Sequence, residues 1–225
     1  MSGYTIDEAR RIAINCASNY KSSLENKQFI IIYRDRDSNE IKHIEVVFLA
    51  RNYQHLTGLN IIDTNGIILD HHSEFFYKKC VEKKLSCNEI MMRSDGTTQL
   101  KLEALPAITK FTSITKIVGD SNNNQPYLYV EKVVGGVNLC LGLRIDEKIH
   151  EFVPVSALKK DIKTLTNTPS QVLAILERDY GDSNVYSRIR HVAKGLNLVT
   201  IKFPSEVSEK ISLDSYIPKQ QKSSN

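Results

Sequence analysis

The segment from Phe48 to Gly58 brings together residue types suited to anion binding and proton transfer. It reads Phe-Leu-Ala-Arg-Asn-Tyr-Gln-His-Leu-Thr-Gly and follows a run that alternates like a strand. Arg51 can hold an oxyanion, the imidazole of His55 titrates near neutral pH, and Thr57 offers a hydroxyl. This mixture at the end of a strand suits a site. The alternative is that His55 and Thr57 only cap and satisfy a turn.

Other polar side chains stand at positions where a site could recruit them. Thr98 and Lys101 follow the turn at Asp95-Gly96, and their alternative roles are helix capping and a solvated face. Lys132 stands on an otherwise apolar strand face, so it either extends along an edge to solvent or faces a cleft. Ser156 and Lys159 add a hydroxyl and a cation, although capping explains the serine equally well.

Several common chemistries lack their motifs in this chain. There is no HExxH, P-loop, GxSxG or dinucleotide-binding glycine pattern. The aspartates share no tight motif typical of metal nucleases, and the adjacent pair His71 and His72 cannot share one helix face. The four cysteines (Cys16, Cys80, Cys87 and Cys140) form no CxxC pair, so we expect reduced thiols. We therefore expect no metal and no cofactor.

Length and composition predict an ordinary folded protein. The 225 residues carry 30 Lys and Arg against 26 Asp and Glu, a net charge of +4, and 41% of them are hydrophobic. These values exclude disordered, collagen-like and coiled-coil classes, and the mild charge permits nucleic-acid binding without arguing for it. No apolar run approaches the roughly 18 residues of a membrane span, and the first residues do not resemble a secretory signal. We expect a soluble, cytoplasmic protein with no membrane association.

The order of patterned segments predicts an α+β fold. Thr5 to Glu8 fits a capping box that opens an N-terminal helix, and residues 29–33 and 41–49 predict an antiparallel hairpin. The middle, from Ser73 to Ile108, has helical spacing. Strands return at residues 115–118, 127–134, 137–145, 150–155 and 171–176, with links too short for parallel pairing, so we expect an antiparallel meander. Residues 156–162 look like one or two helical turns.

These patterns divide the chain into four parts. We expect an N-terminal helix at residues 1–27, an α+β domain at 28–181, a C-terminal basic extension at 182–217 and a disordered tail at 218–225. Within the extension, residues 186–196 predict a basic helix and residues 196–203 a strand. Its cluster of Arg188, Arg190, His191 and Lys194 could bind phosphate, although a charge run is usually a solvated face.

A series of short blocks follows Phe48–Leu59 along the chain. They lie at Phe76–Cys80, Asp95–Pro106, Ile117–Asp120, Leu128–Gly135, Cys140–Gly142, Val153–Asp161 and Val172–Ile175. In this order the blocks, over residues 28 to 180, resemble a known family, the fourth group of phage barnase–EndoU–colicin–RelE-like nucleases. Each block is weak alone, but their shared order and spacing are specific. The resemblance covers about two thirds of the chain and leaves out the N-terminal helix and the residues after about 182.

The resemblance implies an antiparallel sheet that supports a metal-independent ribonuclease site. Such a protein would be carried by phages or mobile elements as a toxin or in conflict with a host, with RNA as its substrate. If the chain is such a ribonuclease, we expect catalytic roles for His55, Lys132 and Arg51. We expect substrate contacts from the remaining candidates: Thr57, Thr98, Lys101, Ser156 and Lys159.

A second hypothesis assigns the same fold a role without catalysis. The chain would then be a phage-type inhibitor of a bacterial defence system, or a module that binds nucleic acid or a host protein. The N-terminal helix and residues 186–194 would supply the partner contacts. An open cleft in which His55, Lys132 and Arg51 converge would favour the enzyme, and a His55 buried by the N-terminal helix would favour the binding module. The oligomeric state is left open, since an exposed strand edge would permit self-association in either reading.

Overall fold

The main feature of the fold is a curved sheet whose strands close into a ring. The computed structural model describes residues 3–122, 124, 129–182 and 184–218. Within these residues the helices are α1 (Ile6–Ser23), α2 (Asn52–Thr57), α3 (Ser73–Val81), α4 (Thr97–Ala104), α5 (Phe111–Ile114) and α6 (Ser205–Ser208). The strands are β1 (Lys27–Arg34), β2 (Ile41–Phe48), β3 (Leu59–Ile61), β4 (Ile90–Met92), β5 (Ile117–Asp120), β6 (Lys132–Gly135), β7 (Cys140–Asp146), β8 (Glu151–Leu158), β9 (Ser170–Asp179) and β10 (Arg188–Val192). The fold is α+β, and none of these helices is both long and apolar enough to cross a bilayer.

The large sheet has the strand order β1-β2-β8-β7-β6-β5-β9-β10, and β1 also pairs with β9. Seven strands therefore form a barrel-like ring, to which β10 adds a flap on β9. The predicted hairpin of β1 and β2 and the predicted antiparallel run from β5 to β8 are both present. One parallel bridge, Val46 to Phe152, joins β2 to β8. Strands β3 and β4 pair separately.

Helix α1 begins where the capping box predicted. The Thr5 hydroxyl accepts the backbone N–H of Glu8, and the Glu8 carboxylate accepts the backbone N–H of Thr5 at 2.8 Å. The small residues of its apolar stripe let α2 approach closely, so that the Tyr53 hydroxyl donates to the carbonyl of Ala13 at 2.6 Å. The Tyr20 hydroxyl donates in the same way to the carbonyl of Leu49, at the end of β2. The N-terminal helix is thus packed into the main core.

Aromatic side chains fill the space between the inner face of the sheet and the helices. Phe29 and Phe48 of the hairpin pack against Phe111 with ring centroids 5.1–5.6 Å apart. Each buried ring stabilises the fold by about 1.5–3 kcal/mol through removal of apolar surface from water. Two smaller apolar clusters cover the outer face, one under the C-terminal segment and one under residues 162–165. The sheet is therefore buried on both faces over much of its length.

A partly buried polar network fastens the C-terminal segment to the outer face of the ring. Glu45 of β2 accepts a hydrogen bond from the Tyr186 hydroxyl at 2.5 Å and pairs with Lys210. The guanidinium of Arg178 lies 3.7 Å from Glu45 and stacks on the Tyr186 ring, 4.4 Å from its centroid. Despite the desolvation that opposes it, hydrogen bonding from His43, Lys210 and Tyr186 lowers the pKa of Glu45 to about 2. Glu45 therefore stays ionised and holds the segment in place.

Three local expectations are wrong, all in segments whose conformation depends on distant partners. Residues 186–196 contain strand β10, because β9 offers a free edge on which Arg188 and Arg190 reach the buried Glu177. Residues 196–203 contain a 3-10 turn (Leu198–Thr200) instead of a strand. Strand β8 continues through Leu158, where helical turns were expected, because it pairs along its length with β7.

The remaining sequence expectations fall partly outside the described residues. The strand expected over residues 127–134 begins at Lys132 in the structure, and residues 127 and 128 are not described. The expected tail lies outside the described residues except for Pro218. All four cysteines are free, and three of them are buried: Cys16, Cys80 and Cys140.

Candidate active site

Helix α2 presents His55 to solvent at the end of the hairpin. The helix starts in a tight turn in which the Asn52 side chain accepts the backbone N–H of Leu49 at 2.9 Å. It stops at Gly58, whose φ of 70° lies in the left-handed region that favours glycine. A Cβ at Gly58 would lie 3.0 Å from Cδ of Lys101 and 3.1 Å from Cα of Thr98, so the glycine also lets α4 come close. His55, one turn before the end, is exposed and is not covered by α1.

Lys101 of α4 reaches under α2 and holds it to the sheet. Its Nζ donates to the carbonyl of His55 at 2.7 Å and to the carbonyl of Val155 in β8 at 3.1 Å. An ammonium group has three N–H bonds, so one remains for another acceptor. Burial of this ammonium and the nearby charge of Arg93 lower the pKa of Lys101 to about 8, against a smaller opposing effect of Asp95. Lys101 is therefore mostly protonated at pH 7 but gives up its proton more readily than an ordinary lysine.

Thr98 joins Arg93 to the end of α2. Its hydroxyl donates to the carbonyl of Gly58 at 2.7 Å and accepts the backbone N–H of Arg93 at 2.9 Å. The hydroxyl of Thr57 donates to the carbonyl of Gln54 at 2.7 Å and accepts the N–H of Leu59 at 3.1 Å. Both threonines are buried. Their hydroxyls are thus already used within the protein, and their effect on the site is to fix its geometry.

The positive charges of three residues act on the imidazole of His55. Partial burial of the ring and the positive charges of Lys101, Arg93 and Arg144 lower the pKa of His55 to about 4. The ring is therefore neutral at pH 7, and it is a weaker base than an ordinary histidine. Arg93 and Arg144 are both exposed, and neither has a side-chain ion pair with any residue that the structure describes. They are the cations at this site left free for an external anion.

Arg51 lies on the same side of α2 as His55. The two residues are four apart in helical backbone, which places them one turn from each other. The guanidinium of Arg51 bonds the carboxylate of Asp146 at 2.9 Å. Asp146 and Arg144 are two residues apart on β7 and so share a strand face. The edge of α2 from Arg51 to His55 thus runs beside the end of β7.

The other sequence candidates make no hydrogen bond or ion pair with this group in the part of the chain that the structure describes. Lys132 of β6 pairs with Asp120 of β5 at 2.6 Å and is 21% exposed, and it makes no described contact with His55. Ser156 is buried in β8 opposite Gly142. Lys159 is exposed in the turn that follows β8. Lys132 therefore stays a predicted catalytic residue, with Asp120 as its partner in the structure.

The assembled group can transfer protons and bind an oxyanion. It contains a neutral imidazole, a lysine with a lowered pKa and two unpaired arginines, with Arg51 at its edge. The candidates proposed from the sequence include His55, Lys101 and Arg51 of this group but not Arg93 or Arg144. Arg93 is in an irregular loop after β4 and gives no local signal. Arg144 is a charged residue that follows the apolar run of β7, a signal that only the position of α2 makes meaningful.

Among the described residues, no three His, Cys, Asp or Glu side chains group closely enough to hold a metal ion.

Comparison with known proteins gives one match. No curated protein and no solved structure matches the chain. Residues 13–192 match the family described as phage-Barnase-EndoU-ColicinE5/D-RelE like nuclease 4, which extends past the resembling blocks at both ends and takes in most of α1 and all of β10. Because this match covers most of the chain and the α+β barrel-like sheet agrees with it, the chain belongs to this nuclease-like family.

Proposed function

We propose that the protein is a metal-independent endoribonuclease that cleaves RNA by attack of a ribose 2′-hydroxyl on the adjacent phosphate. The proposal depends on one observation: His55 and Lys101 are in contact, and at pH 7 one is unprotonated while the other is mostly protonated. Lys101 donates to the backbone of His55, and their pKa values of about 8 and about 4 lie on either side of neutral pH. At pH 7 the histidine is in the unprotonated form that a general base needs, and the lysine is mostly in the protonated form that a general acid needs.

His55 acts as the general base in this scheme. Its exposed imidazole takes the proton of the 2′-hydroxyl, and the resulting oxygen nucleophile forms a bond to phosphorus. The bond between phosphorus and the 5′ oxygen breaks, and Lys101 protonates that leaving oxygen. The products are a 2′,3′-cyclic phosphate and a 5′-hydroxyl, and exchange with solvent returns His55 and Lys101 to their starting states. Proton transfer of this kind contributes typically 10²- to 10⁴-fold to a rate.

Arg93 and Arg144 supply the charge that the reaction needs. The phosphate gathers negative charge as the nucleophile adds, and fixed cations around it stabilise that state. Both arginines are unpaired among the described residues and close enough to His55 to lower its pKa. Arg51 is a third phosphate ligand in this proposal, held in position by Asp146. Lys132, whose partner is Asp120, stays a predicted catalytic residue that the same experiment tests.

The proposed activity fits the conflict role that the family description implies. We propose that the protein acts on RNA as a toxin or in conflict between a phage or mobile element and its host. The alternative is a non-catalytic inhibitor or binding module on the same scaffold. The exposure of His55 and the unpaired arginines beside it favour the enzyme.

Cleavage of total RNA and of defined transfer RNAs in EDTA tests the proposal. We expect wild-type protein to produce cyclic phosphate ends, and His55→Ala and Lys101→Met to cut at least 100-fold more slowly. Lys163→Met, an exposed lysine outside the site, is the matched control and should cut normally. Thermal unfolding of each variant separates loss of activity from loss of fold.

The same assay ranks the remaining candidates. If Lys132→Ala cuts as fast as the wild type, Lys132 has no catalytic role and its pair with Asp120 is structural. If the wild-type protein cuts no RNA but still binds RNA or a host protein, the ribonuclease proposal is wrong and the binding module takes its place.

A further inference from the structure

A large open cleft lies beside β10, away from His55. It has a volume of about 1510 Å³ and is formed by the residue before β5, parts of β9 and β10, and the segments 193–197 and 215–218. This volume exceeds the roughly 300–1,000 Å³ of sites for small molecules. In the ring of strands, β9 is separated from β7 by β5 and β6, and from β8 by β1 and β2. The cleft therefore faces a different side of the molecule from the candidate active site.

The charged groups of the cleft are all basic. The described residues that line it include Lys116, Arg190, His191 and Lys194 and no aspartate or glutamate. The Nζ of Lys116 lies 3.2 Å from Nδ1 and 3.4 Å from Nε2 of His191. Burial of the ring and the charge of Lys116 lower the pKa of His191 to about 4, and burial lowers the pKa of Lys116 as well. At pH 7 the ring of His191 is therefore neutral, and only the Lys116 ammonium of this pair carries a charge that a bound anion could meet.

Not every cation in the cleft is free. Arg190 bonds both carboxylate oxygens of the buried Glu177, at 2.6 and 3.0 Å. Lys194 is exposed in the turn after β10 and has no side-chain partner among the described residues. Lys116 has only His191. The cleft therefore contains two lysines, Lys116 and Lys194, that have no carboxylate partner among the described residues.

The rest of the lining suits nucleobases. Apolar side chains from β9, β10 and the C-terminal segment form the floor, and Tyr216 contributes a half-buried ring. The Tyr216 hydroxyl lies within hydrogen-bonding reach of the backbone of Leu196 and Leu198, which fixes the ring. Amide side chains of Gln171 and Asn197 can read polar base edges. Stacking on an aromatic ring stabilises a bound base by about 1–3 kcal/mol.

We infer that this cleft binds a single strand of RNA, with Lys116 and Lys194 on two of its phosphates and a base against Tyr216. The inference rests on the proposed ribonuclease function for the identity of the strand, and it adds a docking site outside the cleaved bond. A strand held here would increase the local concentration of its remaining length at His55.

Binding of a 2′-O-methyl RNA oligonucleotide tests this inference without cleavage. The methyl group removes the attacking hydroxyl, so fluorescence anisotropy reports binding alone. We expect Lys116→Gln/Lys194→Gln to weaken binding at least tenfold at low salt. Because each phosphate contact on a single strand contributes about 0.7 to the slope of log affinity against log salt, we expect the slope to fall by about 1.4. Lys21→Gln/Lys163→Gln removes two exposed lysines elsewhere and should change binding little.

A second readout follows the cleft itself. Nuclear magnetic resonance titration of His191 should show its pKa rising from about 4 when the oligonucleotide binds, because a phosphate beside Lys116 favours the protonated ring. Unchanged affinity and salt slope in the Lys116→Gln/Lys194→Gln variant would overturn the inference. Equal affinity for adenosine monophosphate and the oligonucleotide would also overturn it, in favour of a single-nucleotide pocket. A protein that binds the strand in this way but never cuts RNA would refute the ribonuclease proposal and leave the docking site intact.

Discussion

Replacing Arg93 with glutamine should raise the pKa values of both His55 and Lys101, whereas replacing Arg144 should raise only that of His55. The positive charge of Arg93 opposes protonation at both groups, but that of Arg144 acts on His55 alone. Removing a nearby cation makes the protonated form easier to reach, so each affected pKa rises. The same kind of substitution at the two arginines therefore gives two different patterns: both pKa values rise for Arg93, and only that of His55 rises for Arg144.

The size of these shifts follows from the exposure of the two arginines. Both lie at the surface, where the effective dielectric constant approaches that of water. A unit charge about 8 Å away in a medium of dielectric constant about 40–80 contributes about 0.5–1 kcal/mol. That energy equals about 0.4–0.8 pH units. Raising the salt concentration to 1 M should remove most of the difference between each variant and the wild type.

In a plot of kcat/KM against pH, these pKa shifts move the acidic limb, the basic limb or both. His55 must be unprotonated to act as base, so activity falls as the pH drops through about 4, and Lys101 must be protonated, so activity falls as the pH rises through about 8. For Arg93→Gln we expect both limbs to move to higher pH. For Arg144→Gln we expect only the acidic limb to move.

Nuclear magnetic resonance titration of the His55 ring and the Lys101 ammonium measures the same values without catalysis. The reasoning is refuted if Arg144→Gln moves the pKa of Lys101 as far as Arg93→Gln does, or if Arg93→Gln moves neither group. Arg11→Gln, an exposed arginine on α1 outside the site, is the matched control and should leave both pKa values unchanged.

Three further substitutions test contacts that stabilise the fold. Glu177→Gln should lower the free energy of unfolding by about 1–3 kcal/mol, because it leaves Arg190 without its buried counter-charge; chemical denaturation measures the loss, and an unchanged midpoint contradicts it. Gly119→Ala should cost about 1–3 kcal/mol, since a Cβ there would lie 2.3 Å from Oγ1 of the buried Thr166; a melting temperature equal to wild type would show that the strand can shift. Thr5→Ala should cost about 1 kcal/mol through loss of the α1 cap, and Thr5→Ser should retain most of it in the same assay.

Local patterns predicted those elements whose partners are near in sequence. The capping box at Thr5 and the hairpin of β1 and β2 are both set by residues within a few positions of each other, and both are present as expected. Strand β10 depends instead on the edge of β9 and on Glu177, and its Arg-rich sequence resembles a solvated helix when it is considered alone. Ring closure through β1 and β9 leaves no local signal at all.

The candidate site likewise contains some residues that the sequence indicated and others that it did not. His55 and Lys101 stand in segments whose composition already indicated chemistry, and the structure brings them into contact. Arg93 and Arg144 come from a loop and a strand about 50 residues apart, and only the docking of α2 places them beside one histidine. A lone arginine in a sequence carries no information about what it will face. The geometry of the fold supplies that information.

The pairing of β1 with β9 also determines when the molecule can be completed during synthesis. Lys27 at the start of β1 bonds Asp179 at the end of β9, a separation of 152 residues along the chain. The ribosome must therefore release most of the chain before the ring can close. Until then the edge of β1 that pairs with β9 stays unpaired. Contacts this distant make folding slow, since a long loop must be closed before they contribute stability. All residues of the candidate active site are translated before β9, yet a chain that stops short of β9 lacks the strand that holds their scaffold together. We therefore expect nascent or truncated chains to be inactive, with activity appearing only after β9 has left the ribosome.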